Sequence, residues 1–465
     1  MRKLIPFLAM SFFLHGCTHP AQYVRPQLPV PSAWPESSAA QAGVQGAPAA
    51  TDLKWQEFFT DQRLQSVIEL ALDNNRDLRI ATLNIERVQA LYRIQRAEQY
   101  PTIVASASAN AYRVPENLSS SDHPETVAEY TVGLGFTSWE LDLFGRIRSL
   151  KSSALEQYLA SEQARSAAQI SLIAAVANSY LALAADREDL RLAQETFDAQ
   201  QKTYELILRT RQVGIASDLD VRQSQSQVEA ARVDIARYSG QLALDENALN
   251  LLVGAPIAAG LLADDLGRVA ALKDVSPGLP SDLLLRRPDI LAAEHQLKAA
   301  NADIGAARAA FFPRISLTAA AGIVSSDLTR LFIPAAGTWN FAPQVALPIF
   351  DSGARQANFK VAEVNRDMVI AEYEKSIQLA FREVSDSLSL RATLVAQQDA
   401  QQSLVNALEE AYRLSEARYR GGIDSYLSVL VAQRSFYVAQ QQLVGVRLAR
   451  LSNLVTLYKV LGGGA

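Results

Sequence analysis

Few side chains in this sequence could do chemistry, and they are scattered. Of the four histidines, His15 belongs to the N-terminal apolar segment, and His19, His123 and His295 are isolated from one another, so no pair is set to ligate one metal ion. The single cysteine, Cys17, excludes an intrachain disulfide and any cysteine-rich metal site. No glycine-rich loop of the phosphate-cradling kind is present, and no strand-to-helix turn presents a nucleophilic serine. Aspartate and glutamate are numerous, but they lie in helix-forming stretches where such residues make solvated faces. The net charge of −5 over 465 residues is small, and no basic patch carries interleaved aromatics, so nucleic acid is not an expected partner. Without a catalytic constellation, the chain is not expected to be an enzyme.

The residue whose surroundings do specify a reaction is Cys17. Arg2-Lys3 precede a short apolar core, Leu4 to Leu14, and a small residue, Gly16, precedes the cysteine. A basic start, an apolar core and a small residue before the cut describe a secretory signal over residues 1–16. The core is too short to cross a bilayer, which takes about 20 residues. Leu14-His15-Gly16-Cys17 resembles a bacterial lipoprotein box, in which the cysteine is acylated and becomes the first mature residue. Thr18, in place of an aspartate, implies sorting to the outer membrane. A covalent lipid on Cys17 is therefore expected, with no other cofactor and no metal. Met368 is the one methionine beyond the signal, so soft ligands for copper or silver are lacking. An extended arm rich in Pro, Ala, Ser, Gln and Gly follows, with a boundary near residue 60.

The elements beyond the arm are built for length. Two segments, Arg146 to Val213 and Ala354 to Arg420, contain neither glycine nor proline and are rich in strong helix formers. About 68 helical residues at 1.5 Å each make a rod of roughly 100 Å. Glycine precedes each (Gly145, Gly353) and glycine stops each (Gly214, Gly421). The second rod belongs to a duplication. Residues 97–103 align with 309–315, Asn75-Arg76-Asp77-Leu78 with Arg287-Pro288-Asp289-Ile290, Gly214 to Val221 with Gly422 to Val429, and Leu249 to Gly254 with Leu457 to Gly462, all offset by about 210 residues. Repeat 1 is placed at 61–254 and repeat 2 at 281–465, joined by a connecting, equatorial segment at 255–280.

Each repeat opens with a helix, about 61–97 in the first, where Leu64, Val67, Ile68, Ala71 and Leu72 keep helical spacing. The period then changes to two. Tyr130, Val132, Leu134 and Phe136 alternate with Thr131, Gly133, Gly135 and Thr137; Ile315 to Val324 and Trp339 to Ile349 alternate in the same way. This predicts one β-hairpin per repeat, at about 101–141 and 313–350. Each rod then turns tightly into a return helix, 218–252 or 425–460. Gly214, Gly421 and Gly422 supply the caps, Ser217 and Asp220 a capping box, and Asp424-Ser425 the equivalent start in the second repeat. Four strands cannot close a barrel, and lipid does not tolerate open sheet edges. The chain must therefore oligomerise: two copies give eight strands and a filled interior, three give twelve and room for a channel.

Several stretches carry a resemblance over nearly the whole mature chain. They are Leu285-Arg286-Arg287-Pro288-Asp289-Ile290 with Ala292-Ala293-Glu294, Ala307 to Ile315, Trp139 to Gly145, Leu249 to Gly254 and Tyr23-Val24-Arg25-Pro26. They resemble the TolC-like outer-membrane efflux family, and within it the lipoprotein branch typified by OprM. The resemblance implies a mainly α fold with a transmembrane β-barrel contribution. A homotrimer would form a twelve-stranded outer-membrane barrel continuous with a long periplasmic α-barrel. It also implies partners: outer-membrane lipid, a periplasmic adaptor, and an inner-membrane transporter of the resistance-nodulation-division class. The duct conducts passively and has no catalytic site.

By position, Tyr419, Leu427 and Arg434 match the family's gate tyrosine, apolar plug and gate arginine. The family commonly sets an aspartate three residues before that arginine, where this chain has Val431. Either Asp218, Asp220 or Asp424 supplies the acid, or closure is more apolar. The tips around Gly214, Ser217, Gly421 and Gly422 are the expected adaptor contacts. A type I protein-secretion duct shares the fold, and a structural tether would need no open lumen; the lipoprotein box and the Arg-Arg-Pro-Asp stretch favour efflux.

Overall fold

The computed structural model describes residues 23–31, 33–34, 48–120, 123–269, 272–276 and 285–464. Cys17, the signal and most of the arm lie outside them. Two compact units divide the chain. Ile85–Ser161 and Ala293–Tyr373 belong to the first, and Leu28–Asn84, Glu162–Ala292 and Glu374–Ala465 to the second. The helices are α1 (Trp55–Phe58), α2 (Gln62–Asn74), α3 (Arg76–Ala97), α4 (Arg146–Gln212), α5 (Asp218–Val253), α6 (Pro288–Ala309), α7 (Ala354–Arg420) and α8 (Tyr426–Val460). The strands are β1 (Val104–Val114), β2 (Glu125–Glu140), β3 (Arg314–Ser325) and β4 (Gly337–Ala346). The order of helix, strand hairpin, long helix, tight turn and return helix thus occurs twice.

The first unit carries an antiparallel sheet in the order β1-β2-β3-β4. Register sorts most side chains by face. Val132 and Leu134 pair with Ile323 and Ala321, and Ala321, Ala319 and Ile315 with Trp339, Phe341 and Val345, so one face is apolar. Ser106, Ser108 and Asn110 pair with Gly133, Thr131 and Glu129, and Ala320 with Asn340, so the other is small or polar. Trp339 is 78% exposed on the apolar face. The alternation breaks between Phe136 and Trp139, where Ser138 takes φ +53° and its N–H donates to Thr318 Oγ1 at 3.1 Å. This irregularity returns Trp139 to the side of Phe136, with ring centroids 6.0 Å apart. Among the described residues β1 and β4 each pair along one edge only.

In the second unit the core gathers around α1, α2, the middles of α4 and α7 and the C-terminal ends of α5 and α8. Phe58 stacks on Tyr458 at 4.0 Å, and the Tyr458 hydroxyl donates to the Leu53 carbonyl at 2.6 Å. Ile173, Val176, Ala177, Tyr180, Leu181 and Ala184 bury a broad stripe of α4 at helical spacing. The segment between the halves packs here: Lys273 N–H donates to the Phe58 carbonyl at 3.2 Å, and Arg391 pairs with Asp274 at 2.5 Å.

One continuous helix over 61–97 is corrected to two. Asn75 is extended (φ −62°, ψ 129°), so its side chain can reach both ways. Its Oδ1 accepts from Leu78 N–H at 2.8 Å, capping α3, and its Nδ2 donates to the Leu252 carbonyl at 2.8 Å. Arg287, the aligned residue, makes the corresponding contact: it donates to the Val460 carbonyl at 2.8 Å. Each return helix is thus pinned at its end by the start of the helix preceding its hairpin.

Candidate functional site at the helical hairpin tips

Each tip is a glycine turn between a long helix and its return helix. In the first, Gly214 takes φ +81°, a left-handed conformation that suits glycine, and Ile215 N–H donates back to the Thr210 carbonyl at 2.9 Å. Ser217 and Asp220 form the predicted capping box, with Asp220 N–H donating to Ser217 Oγ at 3.2 Å and Ser217 N–H to Asp220 Oδ2 at 2.9 Å. In the second tip Gly422 takes φ +71°, while Gly421 N–H continues the helix to the Ala417 carbonyl at 3.0 Å. Ser425 stands at the N-cap of α8 without a side-chain cap bond, so the expected Asp424-Ser425 cap is corrected. Asp424 instead takes a two-pronged hydrogen bond from Arg418, at 2.6 and 3.0 Å, which holds its carboxyl below the usual value.

Beneath the turns lies a small core of Ile207, Val221, Tyr426, Val429 and Leu430, with Tyr204, Tyr412 and Tyr419 against it. Tyr419 and Tyr426 rings sit 5.4 Å apart. Burial pushes the Tyr426 phenol up, and nearby Tyr419 adds to that, so this core stays neutral. On α8, Leu427, Val431 and Arg434 follow at i, i+4 and i+7 and share an exposed face. Leu427 is 53% exposed and Val431 58%. The three candidate acids are engaged close to home: Asp218 with Arg211 at 2.5 Å, Asp220 in the capping box, Asp424 with Arg418. None pairs with Arg434 in this chain, and among the described residues Arg434 makes no ion pair. Val213, Ile215, Leu219 and Ile423 add exposed apolar surface at the tips.

Nothing described at the tips pairs a nucleophile with a base; what the tips present is exposed apolar side chains and the Arg434 cation. Among the described residues no group of three or more acids, histidines or cysteines could hold a metal.

A family model described as outer membrane efflux protein matches residues 67–255 and 279–463. The chain belongs to the outer membrane efflux protein family. It is 47% identical over 463 residues to the toluene efflux pump outer membrane protein TtgC of Pseudomonas putida, covering 100% of this chain and 96% of that one. It is 43% identical over 458 residues to the outer membrane protein OprJ of Pseudomonas aeruginosa, covering 98% and 95%. Among solved structures, the open state of the MtrE outer membrane channel of Neisseria gonorrhoeae matches with a TM-score of 0.88 at 38% identity, over 96% of this chain and 98% of that chain. This family member is an outer-membrane efflux channel of a Gram-negative bacterium, the exit duct of an efflux pump.

Sequence reasoning located the turns and their glycines but not their ion pairs. Arg211–Asp218 and Arg418–Asp424 each bridge a helix end to the residues just past its turn, and their spacing in sequence is unremarked by any motif. It also read acids as solvated faces. Glu294 is buried, and burial beside Asp245 raises Asp186 to about 7. His295, isolated in sequence, meets Glu156 at 2.6 Å.

Proposed function

We propose that three copies of this chain close into one duct: a twelve-stranded barrel in the outer membrane, continued into the periplasm by the helices. The observation that carries this reading is the four-stranded sheet whose two edges are unpaired among the described residues, with one apolar face and one mostly small or polar face. In lipid each free backbone N–H and C=O is strongly unfavourable, so the edges must meet strands of other copies. Twelve strands leave a lumen, whereas eight nearly fill. The twice-occurring element order and the matching Asn75 and Arg287 contacts support an internal duplication.

The duct conducts passively and is not an enzyme. Its tips, around Gly214, Ser217, Gly421 and Gly422, receive a periplasmic adaptor, which joins it to an inner-membrane transporter of the resistance-nodulation-division class. Tyr419, Leu427 and Arg434 close it at rest. Because the acids near Arg434 are already engaged, closure relies on apolar contact among Leu427 and Val431 of neighbouring copies. Lipid on Cys17 anchors the mature chain. The relatives are named for toluene, solvent and antibiotic efflux, and small apolar or amphipathic molecules are the cargo proposed here. The native mass of the detergent-purified protein tests the assembly: three copies support the duct, and a monomer or dimer overturns it.

A further inference from the structure

The arm is held by one buried carboxylate. Glu294, on α6, has 3% of its side chain exposed, a position that a charge occupies only with partners. Arg25 donates to it twice, from Nη2 to Oε2 at 2.6 Å and from Nε to Oε1 at 3.2 Å. The Tyr23 hydroxyl donates to Oε1 at 3.1 Å, and Lys298 Nζ, one turn along α6, lies 3.3 Å from the same oxygen. The Lys298 ammonium also sits 5.3 Å from the centre of the Tyr23 ring. Burial acts to raise the Glu294 carboxyl, but Arg25 and Lys298 outweigh it and the group is held below its ordinary value. Most of this satisfaction comes from the arm; of the two cations that face the charge, only Lys298 remains without it.

We propose that Glu294 is the receptor for the N-terminal arm, and that Tyr23 and Arg25 form a clasp that sets the length of the lipid tether. The tether role rests on the reading that Cys17 is acylated. Tyr23 stands six positions after Cys17, a reach of about 20 Å at most. With the clasp open, the next ring contact of the arm is Trp34, stacked on Phe381 at 5.0 Å. The leash can then lengthen to at most 17 residues, a reach of about 60 Å. The clasp therefore turns a slack tether into a short one, and the burial of Glu294 opposes its release.

Chymotrypsin cleavage after Tyr23 in the full-length, detergent-purified protein reads the clasp, because Pro26 blocks trypsin after Arg25. Glu294→Gln and Arg25→Ala should each speed nicking at Tyr23 by about tenfold or more, and the double variant should be no faster than the faster single. Nicking at the wild-type rate in both single variants, or effects that multiply in the double, would overturn the proposal. Arg25→Ala changes only the arm, so it decides the matter even if Glu294→Gln misfolds. The mass of the released peptide reports separately on Cys17. A lipid-free peptide with protection intact overturns the tether role, while the protection still supports Glu294 as the receptor.

Discussion

Asn75 holds three helices together, and its removal has a calculable effect. The residue is 7% exposed, caps α3 through Leu78 N–H and donates to the last turn of α5 through the Leu252 carbonyl. Asn75→Ala deletes the cap, at about 1 kcal/mol. It also leaves a partly buried carbonyl without its donor, at about 1–3 kcal/mol. The sum is about 2–4 kcal/mol of local stability, or roughly 30- to several-hundred-fold faster amide exchange where local opening governs it. Hydrogen–deuterium exchange of peptides covering 76–84 and 246–254 measures this. Asn75→Asp separates the two contacts: its carboxylate still caps α3 but faces the Leu252 carbonyl with no donor. Protection should survive in the first peptide and fall in the second. If both peptides of Asn75→Ala exchange within about threefold of wild type, the pinning role assigned to this side chain is wrong.

Other consequences can be checked on the same protein. Leu427→Ala combined with Arg434→Ala should raise single-channel conductance in planar bilayers; an unchanged conductance counts against the apolar plug. Gly254 takes φ +76°, and a Cβ there would lie 2.5 Å from the Asn74 carbonyl oxygen, so Gly254→Ala should destabilise by at least the left-handed penalty of roughly 1–2 kcal/mol and lower the melting temperature. Asp186 is raised to about 7 by burial and by Asp245, so its folded state prefers the proton. The resulting penalty grows as pH rises from its ordinary value near 3.8 and is complete above about 7. Asp186→Asn should therefore protect the α4–α5 hairpin relative to wild type near pH 8 but not near pH 4, as read by amide exchange; a gain at low pH alone would refute the assignment.

What was legible in the sequence follows from what is local. Long glycine-free and proline-free runs can only extend a helix, so α4 and α7 begin and end within a residue of the expected points. Positive-φ turns demand glycine, which marked Gly214 and Gly422. Period-two alternation located both hairpins, and the short motif Ser217-x-x-Asp220 carried its own capping partners. Short stretches such as Arg286-Arg287-Pro288-Asp289 also carried the resemblance to the family.

What only the tertiary structure decided are the contacts between residues far apart in sequence. The break at Asn75 needed a carbonyl at Leu252 to make an extended residue favourable inside an otherwise helical run. The β2–β3 pairing, which joins two hairpins into one sheet, and the irregularity at Ser138 depend on a strand some 180 residues later in the chain. Asp424 had the composition of a helix cap, yet a guanidinium six residues earlier binds it more strongly than a backbone N–H can. Glu294 read as a solvated acid until Tyr23 and Arg25, about 270 residues away, were seen to cover it. Propensity and turn chemistry act over a few residues and can be read in order; burial and charge pairing act through space, and the chain must fold before they exist.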